Sequence, residues 1–425
     1  MNLPTDFRGS RQAAEALLEA IDPARYGATR NHLDGAVTRL SPYIRHGVLT
    51  LAEVRDRVLA RGGGGKLIQE LGWRDYWQRL WRQWGDGIWL DREPLKTGHP
   101  PEAYGPDLPA DLSAAATGLA CIDAFATDLM VTGWLHNHAR MWLAAYVVHW
   151  RRVRWQAGAR WFLQHLLDAD PASNNLSWQW LASSFSHKPY IFNRANLERF
   201  GGGRYCAACP AASRGGAAAP GGCPFDASYE WLQARLFRSP EPGEQALPPG
   251  GLAAGGGVME EGPDRSVAPP ALVLAAPLQP PRRPLVWVHE EALGPANPAL
   301  RAYPGSPALA VLDPAGIAGL ALSPSPHRLR FLRDCLRELP LELREGDGAA
   351  ELLAAAAAHG ADAIVTSRPV DPRLLQVASR LAAALPLQLL EPEPFVALPF
   401  EGPGAPDLGR FSRYWRRAEP LLWRS

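Results

Sequence analysis

A stretch without periodicity divides this chain of 425 residues into two halves of different pattern. From 239 to 283 the run SPEPGEQALPPGGLAAGGGVMEEGPD and the Pro-rich residues after it recur neither at two nor at three to four. Pro and Gly at that density oppose both helix and strand, so the reading is a linker. Before it, RQAAEALLEAI, KLIQELGWRDYWQRLWRQW, CIDAFATDLMVTGW, ARMWLAAYVVHW and ARWFLQHLLD repeat apolar residues at three and four, the period of an amphipathic helix. After it, LVWVHE, ALAVLD, LPLELRE, ADAIVTS and LPLQLLE are apolar runs of strand length. Between them lie the helix-like RLRFLRDCLREL, AAELLAAAAAHG and RLLQVASRLAAAL. Such alternation predicts a parallel sheet flanked by helices. The expected architecture is multi-domain: an all-α domain over 1–238, a linker over 239–283, and an α/β domain over 284–425.

Net charge is +1, so no chain-wide field draws the protein to nucleic acid, and any DNA contact needs a local patch. The first residues, MNLPTDFRGS, lack the layout of a secretory leader, and the Ala-rich stretch 352–358 is too short to span a bilayer. We therefore expect a cytoplasmic protein with no membrane partner, monomeric by default, whose five Cys are not in disulfides. Thirteen of the sixteen Trp precede residue 240, which concentrates an unusual aromatic load in the helical half.

Three polar clusters interrupt that half. Tyr26 is followed by Val37-Thr38-Arg39-Leu40-Ser41-Pro42-Tyr43. Hydroxyls, a guanidinium and a helix start suit a pyrophosphate, and Ser41 before Pro42 equally suits a helix cap. Glu70, Trp73 and Arg74 share one helix face, as a polar site or a surface stripe would. In TGWLHNHARM, Asn137, Arg140 and Met141 share a face; in LLDADPASNNLSWQW, Asp168 and Asp170 precede the helix start at Pro171, and Asn174 and Trp178 lie one turn apart. Charges among so many apolar neighbours are costly unless paired, and Arg140 with Asp168 is the natural pair. Cys206 and Cys209 form a C-x2-C pair, with Cys223 downstream and Cys121 upstream. Outside disulfides, such a set reads as zinc or an iron–sulfur cluster. Cys335, in FLRDCLREL, reads as a core residue.

These motifs, with TRLSPYIRHG and LGWRDYW in the same order, resemble the flavin-binding core of the DNA photolyase/cryptochrome family over roughly residues 26–200. The resemblance implies an FAD-binding helical domain. Thr38, Arg39, Leu40 and Ser41 would line the FAD phosphates with Tyr26 nearby, although Val37 replaces the family's usual hydroxyl residue. Arg74 and Asn137 join the cofactor set. Arg140 and Asp168 would pair beside the isoalloxazine N5 edge, Asp170 would accept from the ring or ribityl side, and Asn174 would face N5. Glu70 would hydrogen-bond a flipped pyrimidine dimer between walls from Trp73 and Trp180, with Met141 a soft contact. Trp178 and Trp155 would begin an electron-hopping chain whose third member we take as Trp89.

RYCAACP…GGCPFDASYEWL resembles the cluster-binding tail of the iron–sulfur bacterial photolyase branch, which implies a [4Fe–4S] cluster on Cys121, Cys206, Cys209 and Cys223. LVWVHEEALGPANPALRAY resembles the opening of the family's Rossmann-like antenna domain, and LGRFSRYWRRAEPLLW its connector. That domain normally comes first, so the chain reads as circularly permuted. The family's Arg-x-Asp-Leu-Arg is replaced by His289-Glu290-Glu291-Ala292-Leu293, which leaves binding of a second chromophore open against a domain that only covers the flavin. The function implied is a light-dependent lyase that splits pyrimidine dimers in damaged DNA, single- or double-stranded. A blue-light photoreceptor without repair, and a non-photochemical flavin protein, are the alternatives.

Overall fold

The computed structural model describes residues 7–62, 64–238, 280–318 and 324–423; most of the expected linker, 239–279, lies outside them. The apolar repeats of the first half become helices for identifiable reasons. Helix Leu51–Ala60 opens on a capping box in which Thr50 and Glu53 satisfy each other's backbone N–H groups. Helix Gly65–Trp84 turns Leu67, Ile68, Leu71, Trp77, Leu80 and Trp81 inward. Helix Ala120–Thr132 stops at Gly133, whose φ of +66° suits glycine. Asn137–Ala145 runs on into a π-helical turn, Tyr146–Trp150; Trp155–His165 and Pro171–Ala182 follow. Among the described residues no strand precedes residue 284, and no helix is long and apolar enough to cross a membrane.

Each of the five runs read as strands contributes one: β1 Pro284–Trp287, β2 Ala308–Leu312, β3 Glu342–Glu345, β4 Ala363–Ser367 and β5 Leu387–Leu390. They form one parallel sheet in the order β3-β2-β1-β4-β5. β1 and β4 are buried along their whole length, as strands covered on both faces must be. The strand order reverses between them, so their carboxyl ends mark the topological switch point.

The two halves share a core. Tyr43, Val48, Leu71 and Trp81 pack in one cluster with Val288, Leu332, Phe395 and Trp415, while Phe125, Trp142, Trp155, Phe162 and Phe225 belong to a second, purely helical core. The last helix, Phe411–Leu422, returns onto Gly65–Trp84. There Phe411 stacks on Trp73 at 3.7 Å, and Tyr414 Oη donates to Asp75 at 2.6 Å. Asp75 in turn pairs with the buried Arg79, which donates to the carbonyls of Leu398 and Pro399. Backbones also meet directly at Gly47 and Gly294. A Cβ on Gly47 would lie 2.4 Å from the Glu291 carbonyl oxygen, and one on Gly294 would lie 2.4 Å from that of Gly47.

Beside these glycines an ionic cluster fills the crevice at the switch point. Arg45, with its side chain 3% exposed, sits 2.6 Å from Glu291, 3.6 Å from Asp371 and 3.9 Å from Asp170. Arg373 bonds Glu290 at 2.6 Å and Asp371 at 2.5 Å. Burial opposes ionisation of Glu290, but Arg373, Arg328 and Arg45 outweigh it and hold its carboxyl well below the usual range.

Several histidines are buried with lowered pKa, among them His149 and His136. Burial pushes His149 down to about 3, against the Leu181 carbonyl, which its Nε2 meets at 3.2 Å. Burial, then His138 and Arg140, push His136 down to about 4. Its Nδ1 already accepts from the His138 backbone N–H at 3.1 Å, so protonation there would break that bond. Both folded-state values lie below the ordinary 6.5, so the unfolded chain binds more protons. Their contribution to stability is complete above 6.5 and is lost as pH falls toward 4. Thermal unfolding followed between pH 7 and pH 4 should show a falling Tm, with the fall reduced in His149→Gln.

Candidate functional site

Three segments converge on the acids of the loop ahead of helix Pro171–Ala182. Asp168 is 4% exposed and receives Arg140 through two contacts, Nη2–Oδ2 at 2.9 Å and Nη1–Oδ1 at 3.4 Å. Arg140 is steered by a bond from Nε to the Leu135 carbonyl. Burial opposes ionisation of Asp168, but Arg140, the Ser41 hydroxyl and Arg74 together hold its carboxyl below the usual range. Ala169, between the two acids, has a φ of +27°, a strained value for a residue with a side chain. Asp170 accepts from Ser173 Oγ at 2.5 Å and Gln78 Nε2 at 2.8 Å, and pairs with Arg74 Nη2 at 3.2 Å. Asn174 donates from Nδ2 to the Ala159 carbonyl and to Asn175 Oδ1, both at 3.0 Å.

The 37–41 segment supplies a cation. Arg39 has a φ of +54°, its guanidinium lies 5.1 Å above the Trp134 ring, and burial lowers its pKa. Among the described residues no carboxylate pairs with it. The capping reading of Ser41 does not hold: Leu40 occupies the cap without a side-chain bond, and Ser41 is the first helical residue, turned toward Asp168. Thr38 Oγ1 accepts from the Leu40 N–H at 3.3 Å. The Tyr26 phenol is pushed up to about 12, by burial and then Glu70, against Arg30. A half-buried arginine without an anion, hydroxyls beside it and a buried acid–arginine pair fit a dinucleotide with an anionic and a hydrogen-bonding end.

The substrate set divides. Trp73 and Trp180 line one open groove of about 1200 Å³, with Tyr190, Tyr229, Lys188 and Arg238. Trp180 is 38% exposed, whereas Trp73 already has Phe411 stacked on one face. Glu70 and Met141 are not among the groove's lining residues. Glu70 pairs with Arg30 at 3.2 Å and Lys66 at 2.9 Å, and Met141 Sδ accepts from Asn137 Nδ2 at 3.8 Å. This groove therefore brings together two of the four expected substrate residues.

Of the three tryptophans expected to form a chain, two are buried and one is half-buried. Trp178 is 2% exposed and presses on Gly158, where an added Cβ would fall 2.3 Å from the indole. Trp155, one turn before Gly158 and equally buried, donates from Nε1 to Asp91 at 2.5 Å. Trp89 is half-buried and lies parallel to Trp155, centroids 6.3 Å apart at 9°.

Cys121, Cys206, Cys209 and Cys223 are free, buried thiols lining one small cavity, with Tyr205, Arg194 and Phe225 around them. Burial, then the other three thiols, push Cys121 up; burial and then Glu198 raise Cys206 to about 11. Among the described residues no three His, Cys, Asp or Glu side chains are gathered closely enough to hold one metal ion. A zinc with bonds of about 2.3 Å needs tight convergence of its sulfurs; a four-iron cube takes thiolates spread around a larger space. Cys335 is buried in the shared core.

Residues the sequence did not single out include Arg45, Gln78, Asp91, Phe411 and Tyr229. Gln78 carried a usable signal, since it stands four residues after Arg74 on the same helix face. The others depend on contacts across the fold.

Residues 67–201 match the family described as the FAD binding domain of DNA photolyase. The deoxyribodipyrimidine photo-lyase of Streptomyces griseus is 34% identical over 183 residues, 42% of this chain and 40% of the relative. That of Escherichia coli is 33% identical over 183 residues, 40% of this chain and 36% of the relative. The chain thus spans about two fifths of the length of these curated relatives. Among solved structures, a Synechocystis cryptochrome matches with a TM-score of 0.43 at 22% identity, over 54% of this chain and 51% of that one. The family match takes in Trp73, Arg140, Asp168, Asp170, Asn174 and Trp178, and stops short of Cys206 and the sheet.

Replacing Arg140 by Leu leaves Asp168 buried without its cation. The loss should be on the order of 3 kcal/mol, read as a lowered urea midpoint. The purified variant should also carry less flavin than the wild type by absorbance.

Proposed function

We propose that this chain is a light-dependent FAD protein of the photolyase/cryptochrome type that splits pyrimidine dimers in damaged DNA. The observation that carries the reading is the buried Arg140–Asp168 pair flanked by Asp170 and Asn174, inside the span similar to photolyase FAD-binding domains. When bound, FAD supplies the photoexcited electron; the protein's part is binding, orientation and electrostatics. Arg39, with Thr38, Ser41 and Tyr26 near it, neutralises the phosphates. Asp168, kept anionic by Arg140, and Asp170, held by Arg74 and Gln78, present acceptors to the cofactor's polar edges. Asn174 offers a neutral acceptor oxygen near N5, which favours a hydrogen there without adding a charge. Trp73 and Trp180 supply flat contacts for an extruded lesion, and Lys188 and Arg238 a local positive lining that a net charge of +1 does not give. Trp178, Trp155 and Trp89 carry electrons between surface and cofactor.

The α/β domain, on this reading, is an antenna-type domain moved to the end of the chain, with helix Phe411–Leu422 as its connector. Arg45 and the acids around it occupy the crevice where a second chromophore would enter, so we assign the domain a covering role. The four buried cysteines hold a [4Fe–4S] cluster, with a single zinc as the competing ligand.

Two observations favour a photoreceptor instead: Glu70 is neutralised by Arg30 and Lys66, and Phe411 covers a face of Trp73. Illumination with dimer-containing single- and double-stranded oligonucleotides separates the two. Light-dependent loss of dimers is expected, and unchanged dimers in both substrates would reject repair in favour of sensing. Metal analysis tests the cysteines. The expected result is iron and inorganic sulfide with broad visible absorbance, lost in Cys206→Ser; zinc alone, or no metal, rejects the cluster.

A further inference from the structure

We propose that Asp91 is the proton acceptor of Trp155 when that indole is oxidised, so that the tryptophan relay moves protons as well as electrons. The inference rests on the relay described above and concerns a residue outside the cofactor and substrate sets. Trp155 is 2% exposed, so its indole N–H has no water to release a proton to. Its Nε1–H instead donates directly to Asp91 Oδ1 at 2.5 Å. Asp91 as a residue is exposed, while its carboxyl end turns inward onto the indole. The carboxylate therefore touches a buried redox side chain within a residue that itself stands at the surface, so a proton passed to Asp91 has only that one side chain to cross before water.

Other charges near the pair act in a consistent direction. Arg154 precedes Trp155 and faces Asp91, together with the Ser184 hydroxyl. Burial raises the pKa of Asp91, and the Trp155 N–H, Arg154 and the Ser184 hydroxyl each oppose that rise in favour of the carboxylate. Arg160 lies 5.1 Å over the Trp89 ring, and a cation there disfavours a positive charge on that indole. A neutral radical at Trp155 escapes this penalty and is longer lived than a shared radical cation.

The step balances. With oxidised FAD bound and illuminated as the electron acceptor, Trp155 would lose one electron by way of Trp178. The Trp155 N–H bond breaks, its proton passes to Asp91 Oδ1, and a neutral indolyl radical and a carboxylic acid result. The acid releases the proton to water. An electron from a soluble thiol, entering through half-buried Trp89, reduces the radical. A proton taken up from water through Asp91 restores the N–H bond.

Flash photolysis of the flavin-loaded protein tests this with Asp91→Asn, which keeps the side chain's shape and removes its basicity. The neutral tryptophan radical absorbs to the blue of the radical cation, so the two are read separately. Wild type should form the neutral radical with a solvent deuterium effect. Asp91→Asn should form it about a hundredfold more slowly, the scale of a lost positioned base. Equal rates and equal deuterium effects in the two proteins overturn the proposal. A wild type that forms no tryptophan radical overturns the relay itself and this proposal with it, whereas radical formation with unchanged partition overturns only the role of Asp91. Resonance Raman of the indole N–H in the flavin-free protein gives an independent readout: the marker of a strong hydrogen bond should weaken in Asp91→Asn and vanish in Trp155→Phe. A marker unchanged in Asp91→Asn counts against the contact.

Discussion

The placement of Asp170 depends on charges drawn from both halves of the chain. Its oxygens face Arg74 from the helix Gly65–Trp84 and Arg45 from the segment after Ser41. Arg45 is held in turn by Glu291 and Asp371 of the α/β domain. Two of its nitrogens, Nε and Nη2, make no hydrogen bond, so this guanidinium works mainly as a buried charge between three acids. Such clusters are stable only when complete, because removing one member leaves another uncompensated in low dielectric. The α/β domain therefore contributes to the candidate cofactor site by fixing Arg45, without lining the site itself. A cover would need only apolar contact; this one also sets the field around an acid proposed to face FAD.

The fold was largely legible in the sequence because its signals are local. All five apolar runs became strands, and the three- and four-residue repeats became helices, since each period fixes one buried face. The Arg140–Asp168 pair was legible for a different reason: few partners exist for a charge in so apolar a setting. Contacts between the halves were not legible. Phe411 lies 338 positions after Trp73 and stacks on it, and no periodicity in either segment announces that. The same limit explains Glu70. Its helix face was read correctly, but Arg30, which shares its charge, comes from a separate helical segment around Tyr26. The capping alternative for Ser41 failed through a boundary shift of one residue, which leaves its side chain aimed at Asp168.

The tryptophans show how one residue type serves two ends. Trp142 and Trp161 are buried in the helical core among Phe125, Phe162 and Phe192, which is sufficient reason for their presence. Trp155 belongs to the same core, yet its N–H is directed at the carboxylate of a surface residue and its ring lies parallel to a half-exposed indole. Gly158 follows one turn later, and the missing side chain lets Trp178 approach the same helix. Packing alone does not require a glycine there, a parallel stack and an acid at the indole nitrogen together. The proposed electron path would require them, because hopping depends on close rings and a buried radical cation would need somewhere to lose its proton. Aromatic mass holds this half of the protein together, and the polar groups at its edges give that mass a direction.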